Sequence, residues 1–405
     1  MCVFTVYSHG AERSLEDQMQ KVLDRGIDRY DVRGVSAAVI FPDGKVWTGV
    51  SGISHDTVTI KPEMLFAVGS ITKNVVAALT LKLNEEGILS LEDPLSKWLP
   101  SYPNVDDRIT IRQLLNHTSG LYMFWDNQQI WDELKRDRTK VWSHEEVLSY
   151  LKDPYFAPGK GWRYSNTNYL LMAMIIEKAT GSSLSTEFKK YFWQPLGIDD
   201  VYLSIQDSIP ENQAHVYGDN FNFGDAETDL TFLPRASHES IAFGSSGIFT
   251  TAENLARWCH ALFEGDILQK QSLQEMKQFV EFKPVANMRA YGLGVQVYTR
   301  NFSSGKHAIG HGGGNIGTTT YMVFLTEYHV SIVVMVNAFP SKCPDVITKG
   351  LIRKILREQK AIGLIPFFDF FPTGFMIACF STSIAGLIIF LIRGKKGNKA
   401  GRGSS

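Results

Sequence analysis

Cysteine is scarce in this sequence, and neither sign of charge is in excess. The 405 residues contain four cysteines, which are far apart and form no C-x-x-C pair: Cys2, Cys259, Cys343 and Cys379. This spacing favours neither a zinc site nor a framework of disulfide bonds. Lysine and arginine number 41 against 42 aspartates and glutamates, which gives a formal net charge of -1. Because nucleic-acid binding needs a basic surface, the composition excludes nucleic acid as an expected partner.

Several common catalytic motifs are also absent. The chain has no H-E-x-x-H, no G-x-x-x-x-G-K-[ST], no G-x-S-x-G, and no G-x-G-x-x-G that follows a strand and opens a helix. The main support is therefore missing for a metalloprotease, a P-loop enzyme, a dinucleotide-binding enzyme and an ordinary α/β-hydrolase. Residues 311–314, HGGG, are similar to the oxyanion loop of some lipases, but the chain lacks the G-x-S-x-G motif that would supply the nucleophilic serine of a lipase.

One long hydrophobic run is present near the C-terminal end. Residues 373–392 form a 20-residue stretch without a charge. At about 1.5 Å of rise per residue, a helix of this length matches the roughly 30 Å hydrocarbon core of a bilayer. The aromatic segment 366–371 before it and the basic segment 393–405 after it favour a transmembrane helix over the alternative of a buried core helix. We therefore predict membrane localisation, single-pass through this helix, with the lipid bilayer as a partner.

The basic residues around this run do not decide its orientation. Basic residues follow the run in segment 393–402, and others precede it in segment 353–360, so that the positive-inside rule gives close to a tie. The N-terminal apolar run reaches His9 and Glu12 at once, from which we expect no cleavable signal sequence. The side of the membrane on which the main domain lies is left open.

No internal repeat, low-complexity block or long linker interrupts residues 15–358. We predict one composite domain over these residues. A juxtamembrane segment at 359–372, the transmembrane helix at 373–392 and a basic tail at 393–405 follow it.

Two hairpin patterns lie at opposite ends of this domain. Apolar runs flank the Pro-Asp-Gly segment 42–44 near its start and residues 326–329 near its end. A single antiparallel sheet that both ends of the domain join accounts for both patterns. Residues 73–86, 168–180 and 253–263 show helical periodicity between them. The expected fold class is α/β, in the α+β sense, with a helical layer packed against an antiparallel sheet.

Ser70 and Lys73 form the first candidate catalytic pair. They follow an apolar approach and open the first long predicted helix, so that both side chains lie on one face near its N-terminus. There the amine can accept the hydroxyl proton, and free backbone N–H groups favour developing negative charge. The same S-x-x-K spacing occurs at residues 149–152 and 303–306, where a solvated surface pair explains it equally well. Only the Ser70 copy lies at a strand-to-helix junction.

Tyr164 and Asn166 form the second candidate motif, in a loop that runs into the helix at 168–180. A phenol near a cationic lysine can act as a general base, and an amide two residues on can orient it or the substrate. The alternative is that Asn166 or one of its neighbours simply caps the next helix. The same triplet spacing also occurs at residues 102–104.

The third candidate motif begins at His311 and contains Gly313 and Gly314, just before the final hairpin. Glycines allow backbone N–H groups to approach a ligand closely, and the edge of a strand can supply an oxyanion donor. The alternative is a glycine-rich turn with a partly exposed histidine.

In this order and with these surroundings, the three motifs resemble the serine β-lactamase and penicillin-binding-protein superfamily, specifically its class C β-lactamase-related branch. That branch also contains D-aminopeptidases, DD-peptidases and esterases. The resemblance covers most of residues 19–340 and includes these segments: GILSLEDPLSKWLP, ITIRQLLNHTSGL, residues 156–171, QPLGI, GSSGIFTTAENLARW and YGLGV. Coverage of this extent is much more specific than any single motif.

The resemblance implies a β-lactamase/transpeptidase-like fold, in which the active site lies where an antiparallel sheet packed with helices meets a helical subdomain. It implies Ser70 as the acylated nucleophile, with Lys73 and Tyr164 sharing proton transfer. Asn166 would hydrogen-bond the substrate or Lys73, and the backbone N–H groups of Ser70 and Gly314 would form the oxyanion hole. No metal or organic cofactor is implied.

The third motif departs from the pattern of β-lactamases and DD-peptidases, which usually begin it with lysine. Here the residue is His311, which at its ordinary pKa is mostly neutral at pH 7 and so holds a substrate carboxylate less well. Histidine at this place is similar to the D-aminopeptidases and related peptidases or esterases. With Gly313 and Gly314, it is the predicted substrate-binding part of the site.

We therefore predict a membrane-anchored serine hydrolase that cleaves a small acyl, peptide or ester substrate through an acyl-enzyme, with penicillin turnover slow or absent. Two alternatives stay open. One is a catalytically impaired penicillin-binding or scaffold protein that retains the fold, and the other is a structural role in which the C-terminal helix mediates self-assembly. The sequence does not choose between peptidase and esterase, and it leaves the oligomeric state unknown.

Overall fold

The structure is a computed structural model, and it describes residues 14–30, 32–218, 228–265 and 267–361. The chain divides into two units, the first ending at Lys354 and the second beginning at Ile355. Of the second unit, only residues 355–361 are described, and they are the end of the last helix.

The strands of the described residues form two sheets. Their bounds are β1 (Gly34–Ile40), β2 (Val46–His55), β3 (Val58–Thr59), β4 (Phe66–Ala67), β5 (Tyr202–Leu203), β6 (Ile248–Thr250), β7 (Val280–Val285), β8 (Met288–Tyr291), β9 (Gln296–Tyr298), β10 (Ala308–Asn315), β11 (Thr318–Leu325) and β12 (Val330–Val336). The large sheet has nine strands in the order β3-β2-β1-β12-β11-β10-β9-β8-β7, and the small one has the order β4-β6-β5. The pairs within both sheets are antiparallel.

Strands from both ends of the domain meet at the centre of the large sheet. Strand β1 pairs with β12 from Val35 opposite Val336 to Ile40 opposite Ser331. Both strands are buried along their whole length, as expected for continuous apolar runs that are covered on both faces. Helix α11 (Ala252–Glu264) packs on this pair, and helix α1 (Leu15–Tyr30) packs on β2. The predicted hairpins and the predicted sheet that both ends join are confirmed.

The segment between β4 and β6 is mainly helical. The helices of this segment are α2 (Thr72–Glu85), α3 (Leu95–Trp98), α4 (Ile111–Leu115), α5 (Gln128–Arg136), α6 (His144–Ser149), α7 (Thr167–Thr180), α8 (Leu184–Phe188), α9 (Gln194–Leu196) and α10 (Ala236–Ala242). Helices α11 and α12 (Lys270–Met276) follow, and the described chain ends in α13 (Cys343–Ala361). The predicted α/β fold class, with a helical layer on an antiparallel sheet, is confirmed for this part of the chain.

Helices α2 and α7 are the buried centre of the helical layer. Every residue from Thr72 to Leu81 and from Thr167 to Ile176 is buried. Helix α7 is apolar on nearly all sides, which is typical of a helix that protein surrounds completely, whereas α2 also buries polar side chains, Lys73 among them. Both helices begin at a threonine, one residue before the predicted start. A glycine in the left-handed region lies at the end of each, with φ of 71° at Gly87 after α2 and 69° at Gly181, the C-cap of α7.

The predicted membrane localisation requires a correction. No helix in the described ranges is long and apolar enough to cross a bilayer. The longest of them, α13, has 19 residues, but charged residues recur on every turn: Asp345, Lys349, Arg353, Lys354, Arg357 and Glu358. The predicted span at 373–392 lies outside the described residues, as do the predicted tail and most of the juxtamembrane segment. The finding contradicts the membrane localisation and gives no support to a bilayer as partner.

Candidate active site

Ser70 lies on a tight turn between β4 and α2. Residues Gly69–Ile71 form a single 3₁₀ turn, and α2 begins directly after it at Thr72. Gly69 has a φ of 57°, a conformation that favours glycine. A Cβ atom at Gly69 would also lie 2.4 Å from the carbonyl oxygen of Gly314, so a larger residue would push strand β10 away. The turn holds Ser70 half-buried at the seam between the sheet and the helices.

Lys73 lies one turn after Ser70, and its side chain is completely buried. Its Nζ donates to Ser70 Oγ at 3.0 Å and to the carbonyl oxygen of Ser245 at 2.8 Å. Neither partner is a carboxylate, so neither balances the charge of an ammonium group. Burial in these surroundings lowers the pKa of Lys73 well below its ordinary value, because a charged amine loses its hydration there. The site therefore favours a neutral amine beside the serine hydroxyl.

Tyr164 approaches the same pair from the loop before α7. The Lys73 Nζ lies 5.0 Å from the centre of the Tyr164 ring. Burial raises the pKa of Tyr164, and a hydrogen bond with Ser70 opposes that rise. The phenol is therefore protonated in the resting site, contrary to the sequence-based expectation of a phenolate base near a charged lysine. The structure brings Ser70, Lys73 and Tyr164 together, and burial favours the uncharged forms of the amine and the phenol.

Asn166 stands at the N-cap position of α7, but its side chain makes no capping hydrogen bond. Its Oδ1 atom is buried and has no hydrogen-bond partner, while its backbone N–H points to Met123 Sδ at 3.0 Å. The two hydrogen bonds of Lys73 go elsewhere, so the expected Asn166–Lys73 contact is not formed. A buried amide oxygen without a partner is costly unless a ligand uses it.

His311 lies in β10 and is completely buried. Its Nδ1 contacts the carbonyl oxygen of Gly312 at 2.6 Å and must donate to it, so Nε2 accepts from the hydroxyl of Tyr291 at 2.8 Å. Burial is the main cause that lowers the pKa of His311 to about 3, and repulsion from a proton on Lys73 is the second cause. The ring is therefore neutral at pH 7, and both of its nitrogens are occupied within the protein.

The glycines after His311 bring strand β10 against the turn that carries the serine. A Cβ atom at Gly313 would lie 2.0 Å from the carbonyl oxygen of Val68 and 3.1 Å from the backbone nitrogen of Ser70. Only glycine permits this approach, which places the backbone of β10 next to Ser70. Pairing of β10 with β9 stops at Gly310, and two residues further on the backbone N–H group of Gly312 donates to Gln296 Oε1 at 3.1 Å.

A cavity of about 300 Å³ opens at this point. Its floor includes Ser70 and Tyr164, and one wall is the turn between β7 and β8. The remaining lining comes from the glycines of β10, from β9 and β11, and from the segment after β12: Gln296, Tyr298, residues 312–314, residues 319–321 and Phe339. His311 and Asn166 are outside this lining.

The site also contains residues that lie outside the three motifs. Besides Ser245, the clearest is His117, whose ring lies 4.3 Å from that of Tyr164. The Nδ1 of His117 accepts from Asn168 Nδ2 at 2.8 Å and from the backbone of Ser165 at 3.3 Å. Burial lowers the pKa of His117 well below its ordinary value, and a proton on Lys73 would lower it further. Two of the segments that carry the resemblance contain these residues, which is the signal that could have identified them.

The other copies of the motifs have structural roles. Ser149 donates its hydroxyl to the carbonyl of Glu146 at 2.7 Å. The hydroxyl of Ser303 donates to the carbonyl of Lys306, whose amine pairs with Glu327 at 3.5 Å. Asn104 donates to the carbonyl of Leu151 at 2.8 Å. None of these residues lines the cavity next to Ser70.

Comparisons with known proteins match most of the chain. The model of the beta-lactamase family matches residues 15–357. Penicillin-binding protein 4* of Bacillus subtilis (strain 168) is 30% identical over 294 residues, which are 69% of this chain and 62% of that protein. The chain therefore spans less than two thirds of that relative.

Two solved structures are similar over nearly their whole length. One is a D-stereospecific amidohydrolase from Streptomyces sp., which is 28% identical with a TM-score of 0.72 over 82% of this chain and 97% of that one. The other is a D-amino acid amidase from Ochrobactrum anthropi SV3, in complex with L-phenylalanine, which is 26% identical with a TM-score of 0.74 over 86% and 99% of the two chains.

Proposed function

This chain belongs to the beta-lactamase family, and from that premise we propose that it is a serine hydrolase that cleaves an amide or ester through an acyl-enzyme on Ser70. The contact that carries the proposal is the 3.0 Å hydrogen bond between Lys73 Nζ and Ser70 Oγ. A hydroxyl is a weak nucleophile, and it gains reactivity when a base with a suitable pKa lies within hydrogen-bond reach. Lys73 meets both conditions, because burial favours its neutral form.

In the first step, the Ser70 hydroxyl turns its proton towards Lys73 Nζ, the neutral amine accepts that proton, and Oγ forms a bond to the carbonyl carbon of the substrate. The negative charge that develops on the carbonyl oxygen is stabilised by the backbone N–H groups of Ser70 and Gly314. The carbon–leaving-group bond then breaks, and the leaving group receives the proton from Lys73 through the hydroxyl of Tyr164. Tyr164 is a relay in this scheme, since it gives one proton and receives another without becoming a phenolate.

In the second step, a water molecule attacks the acyl-enzyme. Its proton passes to Lys73, and the new bond to the carbonyl carbon displaces Ser70 Oγ, which recovers a proton from the same amine. Asn166 lies outside the cavity lining but only two residues after Tyr164, and in this proposal its buried Oδ1 receives a donor group once the substrate is bound. The amidohydrolase and amidase named above support an amide as one substrate class.

Penicillin is a poor substrate in this proposal. The lysine that usually begins the third motif is replaced by His311, whose pKa of about 3 leaves it uncharged at pH 7. Tyr291 and Gly312 occupy both ring nitrogens. His311 therefore offers no charge to the carboxylate of a penicillin. Its role in this proposal is to hold Tyr291 and the backbone of β10 in place.

The mass of the intact protein tests the acyl-enzyme. After separate incubations with p-nitrophenyl esters and with D-amino acid amides, and a quench in acid, we expect with at least one of the two classes a mass gain equal to the acyl group, which peptide mapping assigns to Ser70. Loss of the added mass during a chase without substrate indicates hydrolysis. An adduct that persists through the chase would instead support the catalytically impaired binding protein. Turnover without any adduct, or an adduct at another residue, would contradict the proposal.

Substitution of Asn166 by alanine separates substrate binding from helix capping. We expect kcat/KM to fall about 10-fold. The free energy of unfolding should change little, because the side chain makes no capping bond. Steady-state kinetics and chemical denaturation measure the two quantities. Ser143→Ala is the matched control, because its side chain does cap α6 and its loss should cost about 1 kcal/mol without affecting turnover. An Asn166→Ala enzyme that is less stable but fully active would support the capping interpretation.

A further inference from the structure

The cavity beside Ser70 has a lining without charge. Every residue that lines it in the described part of the chain is neutral: serine, threonine, tyrosine, asparagine, glutamine, glycine or an apolar residue. Hydrolases that select a carboxylate or an ammonium group place an opposite charge where that group binds, because an unpaired charge loses its hydration in a cavity. This lining provides neither sign.

The acidic residue behind this lining is already paired. Asp345 lies behind the wall and accepts from Asn287 Nδ2 at 3.1 Å and from Lys349 Nζ at 3.3 Å. Asn287 also donates to the hydroxyl of Tyr321 at 3.3 Å, so that a neutral amide and a phenol separate Asp345 from the cavity. Within the site itself, burial favours the uncharged forms of Lys73 and Tyr164.

Apolar and aromatic groups form much of the wall. The hydroxyl of Tyr298 donates to the carbonyl of Met322 at 3.0 Å, which leaves its ring as the surface towards the cavity. Val285 stands at the mouth with 55% of its surface exposed, next to Met288 across the β7–β8 turn. A wall of this kind is suited to a hydrocarbon or aromatic group of a substrate.

We infer that the substrate is a neutral acyl donor, in which the group that fills this cavity carries neither a carboxylate nor a free ammonium. The inference rests on the proposed Ser70 chemistry, and it narrows the substrate to esters or to amides with uncharged or blocked ends. Two kinds of group are disfavoured as occupants of the cavity. One is the free carboxylate at the end of a peptide, and the other is the free amine of an amino acid amide.

Two matched series of esters test the inference. In the first, p-nitrophenyl esters carry acyl chains of equal length that end in methyl, carboxylate or ammonium. In the second, butyrate esters are made from para-substituted phenols that carry a methyl, carboxylate or aminomethyl group. In at least one series, we expect kcat/KM of the neutral ester to be at least about 10-fold higher than kcat/KM of either charged ester. Equal rates across both series would overturn the inference.

A charge placed in the wall gives a complementary result. In Met288→Lys, we expect the ratio of kcat/KM for the carboxylate ester over the neutral ester to rise at least about 3-fold above the ratio in Met288→Gln. The ratio for the ammonium ester should fall. Because each ratio compares two substrates on one protein, a general loss of activity in either variant does not alter the result. Unchanged ratios would contradict the assignment of this wall to substrate binding.

Binding of boronic acids tests the cavity without turnover. Phenylboronic acid and its para-carboxy and para-aminomethyl derivatives form a bond from Ser70 Oγ to boron, and thermal shifts report their affinities. We expect the neutral compound to bind about 10-fold more tightly than either charged one. If no ester is hydrolysed but this order holds, the proposed function fails and the neutral cavity stands. If the esters are hydrolysed and the three compounds bind equally, the neutral cavity fails.

Discussion

Replacement of Ser70 by alanine is expected to lower kcat/KM for esters and amides at least about 1000-fold and to abolish labelling by a fluorophosphonate. The variant loses the only atom that can carry the acyl group in the proposed mechanism. It should fold normally, because Ser70 is half-buried and alanine is compatible with the turn that carries it. Circular dichroism and the unfolding midpoint check the fold, and a stopped assay with p-nitrophenyl butyrate checks turnover.

The chain supplies its own control for this experiment. Ser149 has the same spacing to a lysine, but its exposed hydroxyl only bonds within its helix. Ser149→Ala should therefore retain full activity and full labelling. If Ser70→Ala keeps its activity, or if both serine variants lose it equally, the assignment of the nucleophile is wrong.

Replacement of Lys73 by methionine is expected to lower kcat/KM about 1000-fold while the protein stays folded. Methionine keeps much of the volume of the side chain but has no basic atom. Lys73→Arg should be as inactive, because a guanidinium group stays protonated and cannot accept the serine proton. Activity in Lys73→Arg would show instead that a positive charge suffices. Kinetics of the three proteins on one neutral ester distinguish the two cases.

The pH dependence provides a second measurement on Lys73. Its folded-state pKa lies well below the ordinary value of 10.5, so the neutral, active form appears at lower pH than for an exposed lysine. Accordingly, kcat/KM should rise with pH through this lowered pKa. Between the lowered pKa and 10.5, the unfolded chain binds a proton that the folded chain does not, so the free energy of unfolding also rises with pH. In Lys73→Met, this contribution to the rise should be missing.

A large part of the fold was predictable because its signals are local. The two hairpins show apolar runs around short turns, and the helices α2 and α7 show continuous helical patterns that end at glycines. Even the choice of Ser70 over Ser149 and Ser303 followed from the apolar segment before it and the helix after it. Each of these signals depends on neighbours within about 20 residues of sequence, which is the range over which propensity and periodicity act.

The electrostatics of the site depended on contacts that are distant in sequence. The carbonyl of Ser245 binds Lys73 across 172 residues, and Tyr291 occupies a nitrogen of His311. Burial by these distant segments favours the uncharged forms of the lysine and the phenol. A sequence pattern gives the identity of the groups, but burial and partners set their pKa values. Likewise, Asn166 has the position of a helix cap, and only the structure shows that its side chain does not cap.

The pairing of β1 with β12 affects how the protein is made in the cell. Val35 cannot meet its partner Val336 until nearly the whole domain has left the ribosome. At about 5–20 residues per second, translation needs roughly 15–60 s to cover that interval. During this delay, the hairpin of β1 and β2 carries an uncovered hydrogen-bonding edge of Val, Ala and Ile, which is prone to association with other nascent chains. A chaperone that shields this edge would therefore act on the first strand of the sheet, long before the catalytic serine meets strand β10.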